Sequence, residues 1–385
     1  MLRQGLVIES PSPRPARRLA SLDVFRGATI AAMLLVNNPG SWTHVYGPLQ
    51  HAAWNGSTPT DLVFPFFLFI VGITTTFSLG GLLERGIAPR EIFRKALIRA
   101  AIIFGLGLAL QGFPHYDLAH LRILGVLQRI ALSYLVAAAI VLSTGIRGQA
   151  GTLIGLLLGY WALMTSVPVP GIGPGVLEPD MNLSNWIDLH VIGTNHLPHD
   201  AGTWDPEGIL STVGAIATVL CGVLAGEWIR SDRRPSTKAV GLIVSGGVAL
   251  VVGLAWGRVF PINKSLWTSS YVLFSAGIAC LVLALVYWLV EMRGRREWAR
   301  PLLVFGTNAI TAYWLSSLFA IVLDWIVIAG PPDGEPLVLR SYVYETVFAS
   351  WLAPANASLA YAITYVLLWL GLLSIMYRRR IFIRI

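Results

Sequence analysis

His51 and Asp61 lie ten residues apart, in a polar stretch (HAAWNGSTPTD) that runs straight into the apolar DLVFPFFLFIVG. An imidazole beside a carboxylate is a general base with its orienting partner. The ring changes charge near neutral pH, and the carboxylate fixes which nitrogen carries the proton. Trp54 and the tight Asn55-Gly56 turn are placed to pin the histidine. Two plainer roles compete with this one. A loop histidine is ordinarily a solvated side chain, and a carboxylate at the start of a helix ordinarily caps it. Spacing alone leaves these alternatives open.

Other polar residues stand out because their surroundings are apolar. Asn37 follows Arg26 by eleven residues, roughly 16 Å along a helix, so one helix carries a cation near one end and an amide near the other. Asp23, one turn before Arg26, is its expected local partner. Arg129 lies within RILGVLQRIALSYLV beside Gln128. A charge in such a segment is costly and must be paired or functional, with Asp23 or Asp61 as the partner. Asn308, in FGTNAITAYW, is expected to hydrogen-bond between helices. His190, His196 and His199 fall in a loop rather than on one helix face and lack the fixed geometry of a zinc motif, so no metal is expected.

These residues have to be positioned by a membrane protein. Of 385 residues, 55% are hydrophobic and only 12% charged, with a mean hydropathy of +0.66. Apolar runs long enough to cross a bilayer recur along the chain. The expected fold is all-α, a polytopic bundle of about ten transmembrane helices, at 22–38, 60–82, 93–111, 121–143, 150–167, 207–229, 239–257, 268–290, 301–329 and 355–377. Residues 341–353 read as a re-entrant or interfacial piece. Residues 1–20 read as a basic, disordered cytoplasmic tail without a cleavable signal, and residues 21–385 as one domain with a long extracytoplasmic loop at 167–206.

The net charge of +8 reflects topology rather than nucleic-acid binding. Arginines cluster in alternate connections, at Arg14–Arg18, Arg85–Lys95, Arg147, Arg230–Lys238, Arg293–Arg300 and Arg378–Arg380. That asymmetry predicts both termini in the cytoplasm. His51 then faces the outside, where Glu178, Asp180, Asp188, Asp200, Asp205 and Glu207 form an acidic loop suited to attracting a protonated amine. Depletion of basic residues from outer loops is the plainer account of the same pattern. Cys221 and Cys280 both lie in apolar runs, which argues against a disulfide framework.

Several blocks, in order and at membrane-span spacing, resemble the heparan-α-glucosaminide N-acetyltransferase family. They are LDVFRG (Leu22–Gly27), VNNPG (Val36–Gly40), HAAWNG (His51–Gly56), DLVFPFFLFIVG (Asp61–Gly72) and LRILGVLQRIALSY (Leu121–Tyr134). WDPEGILST (Trp204–Thr212), FPINKSLWTSSYVLF (Phe260–Phe274) and FGTNAITAYW (Phe305–Trp314) continue the series. The resemblance implies transfer of an acetyl group from cytoplasmic acetyl-CoA, as cosubstrate, to the amine of a glucosamine-type sugar or envelope glycan across a bacterial inner membrane. It places the active-site histidine at His51, with Asn37 and Asp61 in support. A histidine of the family's late span is replaced here by Ser316.

On that basis Arg26, Arg129 and Asn308 are expected at the CoA site, and Trp54, Asn55, Asp205 and Glu207 at the acceptor site. His51 serves either as general base or as the carrier of the acetyl group. The alternative is a transporter for a sugar or amino sugar, with Arg26 and Arg129 lining its path and no covalent chemistry. No nucleic-acid partner is expected, and a twofold homodimer is the default assembly.

Overall fold

The structure is a computed structural model and describes residues 19–198, 204–329 and 337–383. The N-terminal tail up to Arg18, together with His199 and Asp200, lies outside the described residues.

The chain is a helical membrane protein. Its first two helices, α1 (Ala20–Asn37) and α2 (Val63–Glu84), run antiparallel and are joined by the loop that carries His51. Next come α3 (Pro89–Gly112), α4 (Val126–Ser143) and α5 (Ile146–Ser166). A short amphipathic helix, α6 (Leu183–Val191), interrupts the long loop ahead of α7 (Ser211–Arg230). The bundle continues with α8 (Pro235–Trp256) and α9 (Ser269–Tyr287), then with α10 (Arg300–Thr307) and α11 (Ala309–Trp325). A two-stranded ribbon, β1 (Val327–Ala329) with β2 (Leu337–Val338), leads to α12 (Leu339–Val343). A π-helical turn (Tyr344–Ala349) follows, and α13 (Pro354–Arg378) closes the fold.

Among the described residues, ten long helical runs stand where ten spans are expected, with α10 and α11 counted as one broken run. By length and composition seven helices among the described residues can cross a bilayer, or eight with the bent α10–α11 pair. The other two, α3 with 24 residues and α5 with 21, have the length but a more polar composition.

Three expected boundaries are corrected. The fourth span begins at Val126 rather than 121, and the sixth at Ser211 rather than 207. The cause is shared: Arg122 reaches across to Asp205 and Glu207, which holds both pre-helical segments in irregular backbone. The expected span 301–329 is broken at Asn308, where α10 and α11 meet at 82°. Asn308 is therefore not an amide on a continuous helix. Its Nδ2 donates to Ile381 O at 3.1 Å and its Oδ1 accepts from Ile383 N at 3.0 Å, so it tethers the C-terminal segment.

Water cannot drive helices together inside a bilayer, so small residues at the crossings do much of the work. A Cβ at Gly72 of α2 would sit 2.0 Å from Val219 O of α7, and one at Gly222 of α7 would sit 2.0 Å from Phe69 O of α2. Gly27 of α1 and Gly306 of α10 approach equally closely, with Leu302 O and Asp23 O in the way of any side chain. By contrast, Gly81 on α2 meets nothing within 4 Å. Gly72→Val is expected to lower the melting temperature in detergent, by overpacking worth about 1–3 kcal/mol, while Gly81→Val leaves it nearly unchanged. Parallel thermal-shift measurements on the two variants check this.

Candidate functional site

Asp61 organises the loop between α1 and α2. It does not cap α2, which has no side-chain cap. Instead it reaches back, and its Oδ2 accepts from Ala52 N at 3.0 Å, Thr58 N at 2.9 Å and Thr58 Oγ1 at 3.2 Å. Its Oδ1 lies 2.6 Å from His51 Nδ1. From the other side, Tyr271 Oη of α9 donates to the Asp61 backbone carbonyl. Asp61 is 1% exposed while the His51 side chain is 49% exposed, so a buried carboxylate presents a reachable ring. A carboxylate can only accept, so the Nδ1–H of the ring donates to Asp61.

The turn at Asn55-Gly56 forms as expected, with Gly56 at φ +102°. Gly56 N donates to Ile262 O at 2.7 Å, and Asn55 Oδ1 accepts from Asn263 Nδ2 at 3.2 Å. Asn55 therefore braces two loops against each other rather than lining the cavity beside His51. Trp54 does line it: its indole N–H donates to Leu177 O at 3.0 Å, and its ring meets Trp204 edge-on at 5.3 Å.

That cavity, about 330 Å³, is bounded by Asn37 at the end of α1, His51, Asp61, Glu207, Lys264 and Tyr313. Lys264 is a residue that sequence reasoning missed. Its Nζ lies 3.0 Å from His51 Nδ1, 3.4 Å from His51 Nε2 and 3.7 Å from Asp61 Oδ1. Burial holds its ammonium below the ordinary lysine range, against the pull of Asp61 and Glu207. The available signal was its position: a basic residue on the side otherwise poor in them, inside FPINKSLWTSS.

Of the expected acidic loop, Glu178 and Asp180 are exposed, whereas Asp188, Asp205 and Glu207 are buried. Arg122 binds Asp205 through two hydrogen bonds, at 2.7 and 3.1 Å, and Glu207 at 2.6 Å. Burial opposes the charge on Arg122, but the two carboxylates outweigh it and raise the guanidinium above its ordinary range. Asp205 is spent in this pair and does not line the cavity, whereas Glu207 does both.

Arg129 is also corrected. It pairs with neither Asp23 nor Asp61. Its guanidinium lies over Trp267 at 4.9 Å and donates to Ser211 Oγ and, at 3.3 Å, to Gly208 O, which fixes the start of α7. It lines neither cavity described here. His190 stacks on Trp186 and His196 Nδ1 bonds Leu121 O, so both are engaged in the loop.

A second cavity, about 260 Å³, opens in the opposite half of the bundle between the same helices. Arg26 lines it, held by Asp23 as expected and by Gly306 O, both at 3.1 Å. Arg99 of α3 lines it too, beside the Tyr134 ring at 5.1 Å; its buried Nε has no hydrogen-bond partner among the described residues. The bend at Asn308 puts the first residues of α11, Ala309 and Ile310, in the same wall. The cavities are neighbours. Phe64, Val126 and Tyr313 line the first, and Phe67, Ile130 and Ile310, one helical turn away on the same helices, line the second.

Residues 18–195 match the family model described as heparan-alpha-glucosaminide N-acetyltransferase, catalytic. The chain is also 30% identical to the heparan-alpha-glucosaminide N-acetyltransferase of Mus musculus and 31% identical to that of Homo sapiens, each over 77% of its length. It is related to this acetyltransferase family. The chain spans about half the length of these relatives, 53% and 52% respectively. Arg26, Asn37, His51, Asp61 and Arg99 fall within the matched catalytic region, while Glu207, Lys264 and Tyr313 lie beyond it.

Asp188 of α6 is 1% exposed; its Oδ1 accepts from Ile209 N at 2.8 Å, and its Oδ2 has no partner among the described residues. Burial pushes it up to about 7 from 3.8, helped by Asp205. A folded-state value above the unfolded one means that stability is complete below about 4 and is lost as pH rises through about 7. Asp188→Asn is expected to melt higher than the parent at pH 8 and equally at pH 4, as read from melting curves across that range.

Proposed function

We propose that this protein is a membrane acetyltransferase, passing the acetyl group of cytoplasmic acetyl-CoA to the amine of an amino sugar on the opposite side. The observation that carries the reading is the pair of cavities: the His51–Asp61 dyad opens on one, and a cationic chamber lies one helical turn beyond it. Acetyl-CoA combines a polyanionic nucleotide with a long thin arm. Arg26, Arg99 and the N-terminus of α11 suit the phosphates. The wall built from Phe64, Phe67, Val126 and Ile130 suits the arm. The alternating arginine clusters support placing the second cavity toward the cytoplasm, with both termini there.

Bound acetyl-CoA would supply the thioester carbonyl. His51 Nε2 takes the proton from the attacking amine, Asp61 holds the ring in the required tautomer and stabilises the imidazolium, and Asn37 is placed to donate to the developing oxyanion. The C–N bond forms as the C–S bond breaks, and the proton on Nε2 is available to the departing thiolate. The acceptor lies against Trp54 and Trp204, aromatic faces suited to a sugar, with Glu207 beside its nitrogen. The family name of the relatives makes glucosamine the first acceptor to try.

Transfer is direct, so labelled acetyl-CoA alone leaves no label on His51. Purified protein given acetyl-CoA and a panel of amino sugars is expected to release CoA, measured with a thiol reagent. His51→Ala should lower that release by about 10²–10⁴-fold. The reading fails if no amine raises CoA release above hydrolysis, or if His51→Ala matches the parent.

A further inference from the structure

Asp61 alone would favour the protonated form of His51. A carboxylate 2.6 Å from Nδ1 favours the imidazolium, which at neutral pH has no lone pair to offer. The structure sets a cation against it. Lys264 Nζ is within 3.4 Å of both ring nitrogens while 3.7 Å from Asp61 Oδ1, so it faces the ring and the carboxylate together. With Nδ1 protonated toward Asp61, neither nitrogen gains from a second proton beside an ammonium.

The lysine is built into place. Asn263, fully buried, donates to Asn55 Oδ1 and accepts from Leu266 N at 2.8 Å, and its own N–H bonds Thr268 Oγ1 at 3.2 Å. Trp267, held at φ +51°, donates to Thr218 Oγ1 at 3.0 Å. The loop that presents Lys264 is thus tied both to the His51 loop and to α7.

We propose that Lys264 is the positioning residue that keeps His51 Nε2 unprotonated, and so free to accept a proton, at neutral pH. This rests on the acetyltransferase reading for its purpose, though not for its test. The remaining groups facing His51 are consistent with it. Asp61 comes from the start of α2, and Glu207 from the segment before α7, where it shares the single guanidinium of Arg122 with Asp205. Arg129 lies behind Trp267 on α4, and Tyr313 and Asn37 are uncharged walls on α11 and α1. Removing Lys264 leaves Asp61 as the dominant neighbour.

The test reads His51 itself. Diethyl pyrocarbonate modifies only the unprotonated imidazole, so the pH midpoint of His51 labelling, followed by peptide mass spectrometry, reports its protonation whether or not any acceptor is known. Lys264→Met is expected to raise that midpoint by about 1–2 pH units, with Lys264→Arg staying at the parent value. Where acetyl transfer is measurable, the acid limb of kcat/KM should move up equally, with activity recovering at higher pH. Asp61→Asn supplies a second variant: with the cation left unopposed, the midpoint should fall below that of N-acetylhistidine measured alongside. An unchanged midpoint in Lys264→Met, or one in Asp61→Asn no lower than the free amino acid, overturns the proposal. Absence of CoA release from the parent protein would instead overturn the acetyltransferase reading.

Discussion

A single buried carboxylate holds the site together. Asp61 accepts two backbone N–H groups, a hydroxyl and an imidazole, and is approached by an ammonium, while its own backbone carbonyl is bound by Tyr271. An ionised group 1% exposed is tolerable only with such satisfaction. The same bonds fold residues 51–61 into a fixed arch. Asp61 therefore sets the position of His51, its tautomer and the shape of the cavity at once. Asn263 extends this order to the α8–α9 connection, so that Asp61 and Lys264, from distant parts of the chain, meet at one ring.

The second constraint is backbone proximity. Gly27 against α10 and Gly306 against α1 let those helices touch, and the break at Asn308 turns α11 away from α10. Residues on both sides of that break, Gly306 and Thr307 before it and Ala309 and Ile310 after it, line the cavity that Arg26 and Arg99 also border. The price is an unwound residue inside the bundle, offset by the bonds from Asn308 to Ile381 and Ile383. Unwound backbone of this kind at membrane depth is tolerated where it borders a cavity.

The sequence made the spans and the His51–Asp61 pairing legible, because hydropathy and short-range spacing are local properties. What it hid was long-range. Lys264 is 213 residues from His51, and no spacing rule links them. Asp205 and Glu207 read as an acidic surface because their partner, Arg122, is 83 and 85 residues away. Arg129 looked like half of a carboxylate pair, but its neighbour is the face of Trp267, an interaction without a charge pattern to announce it. Arg99 falls inside the expected span at 93–111, four residues past the basic cluster, and has no expected role there, although it lines the second cavity.

The proposed reaction joins a donor cavity to an acceptor cavity on opposite sides of the membrane. Reconstituted vesicles test it directly, with acetyl-CoA confined to one side and a membrane-impermeant amino sugar to the other. The account predicts that N-acetylated sugar forms and stays on the sugar's side, while free CoA appears on the donor side. Product formed only when both substrates share one compartment, or unmodified sugar crossing to the acetyl-CoA side, would contradict it.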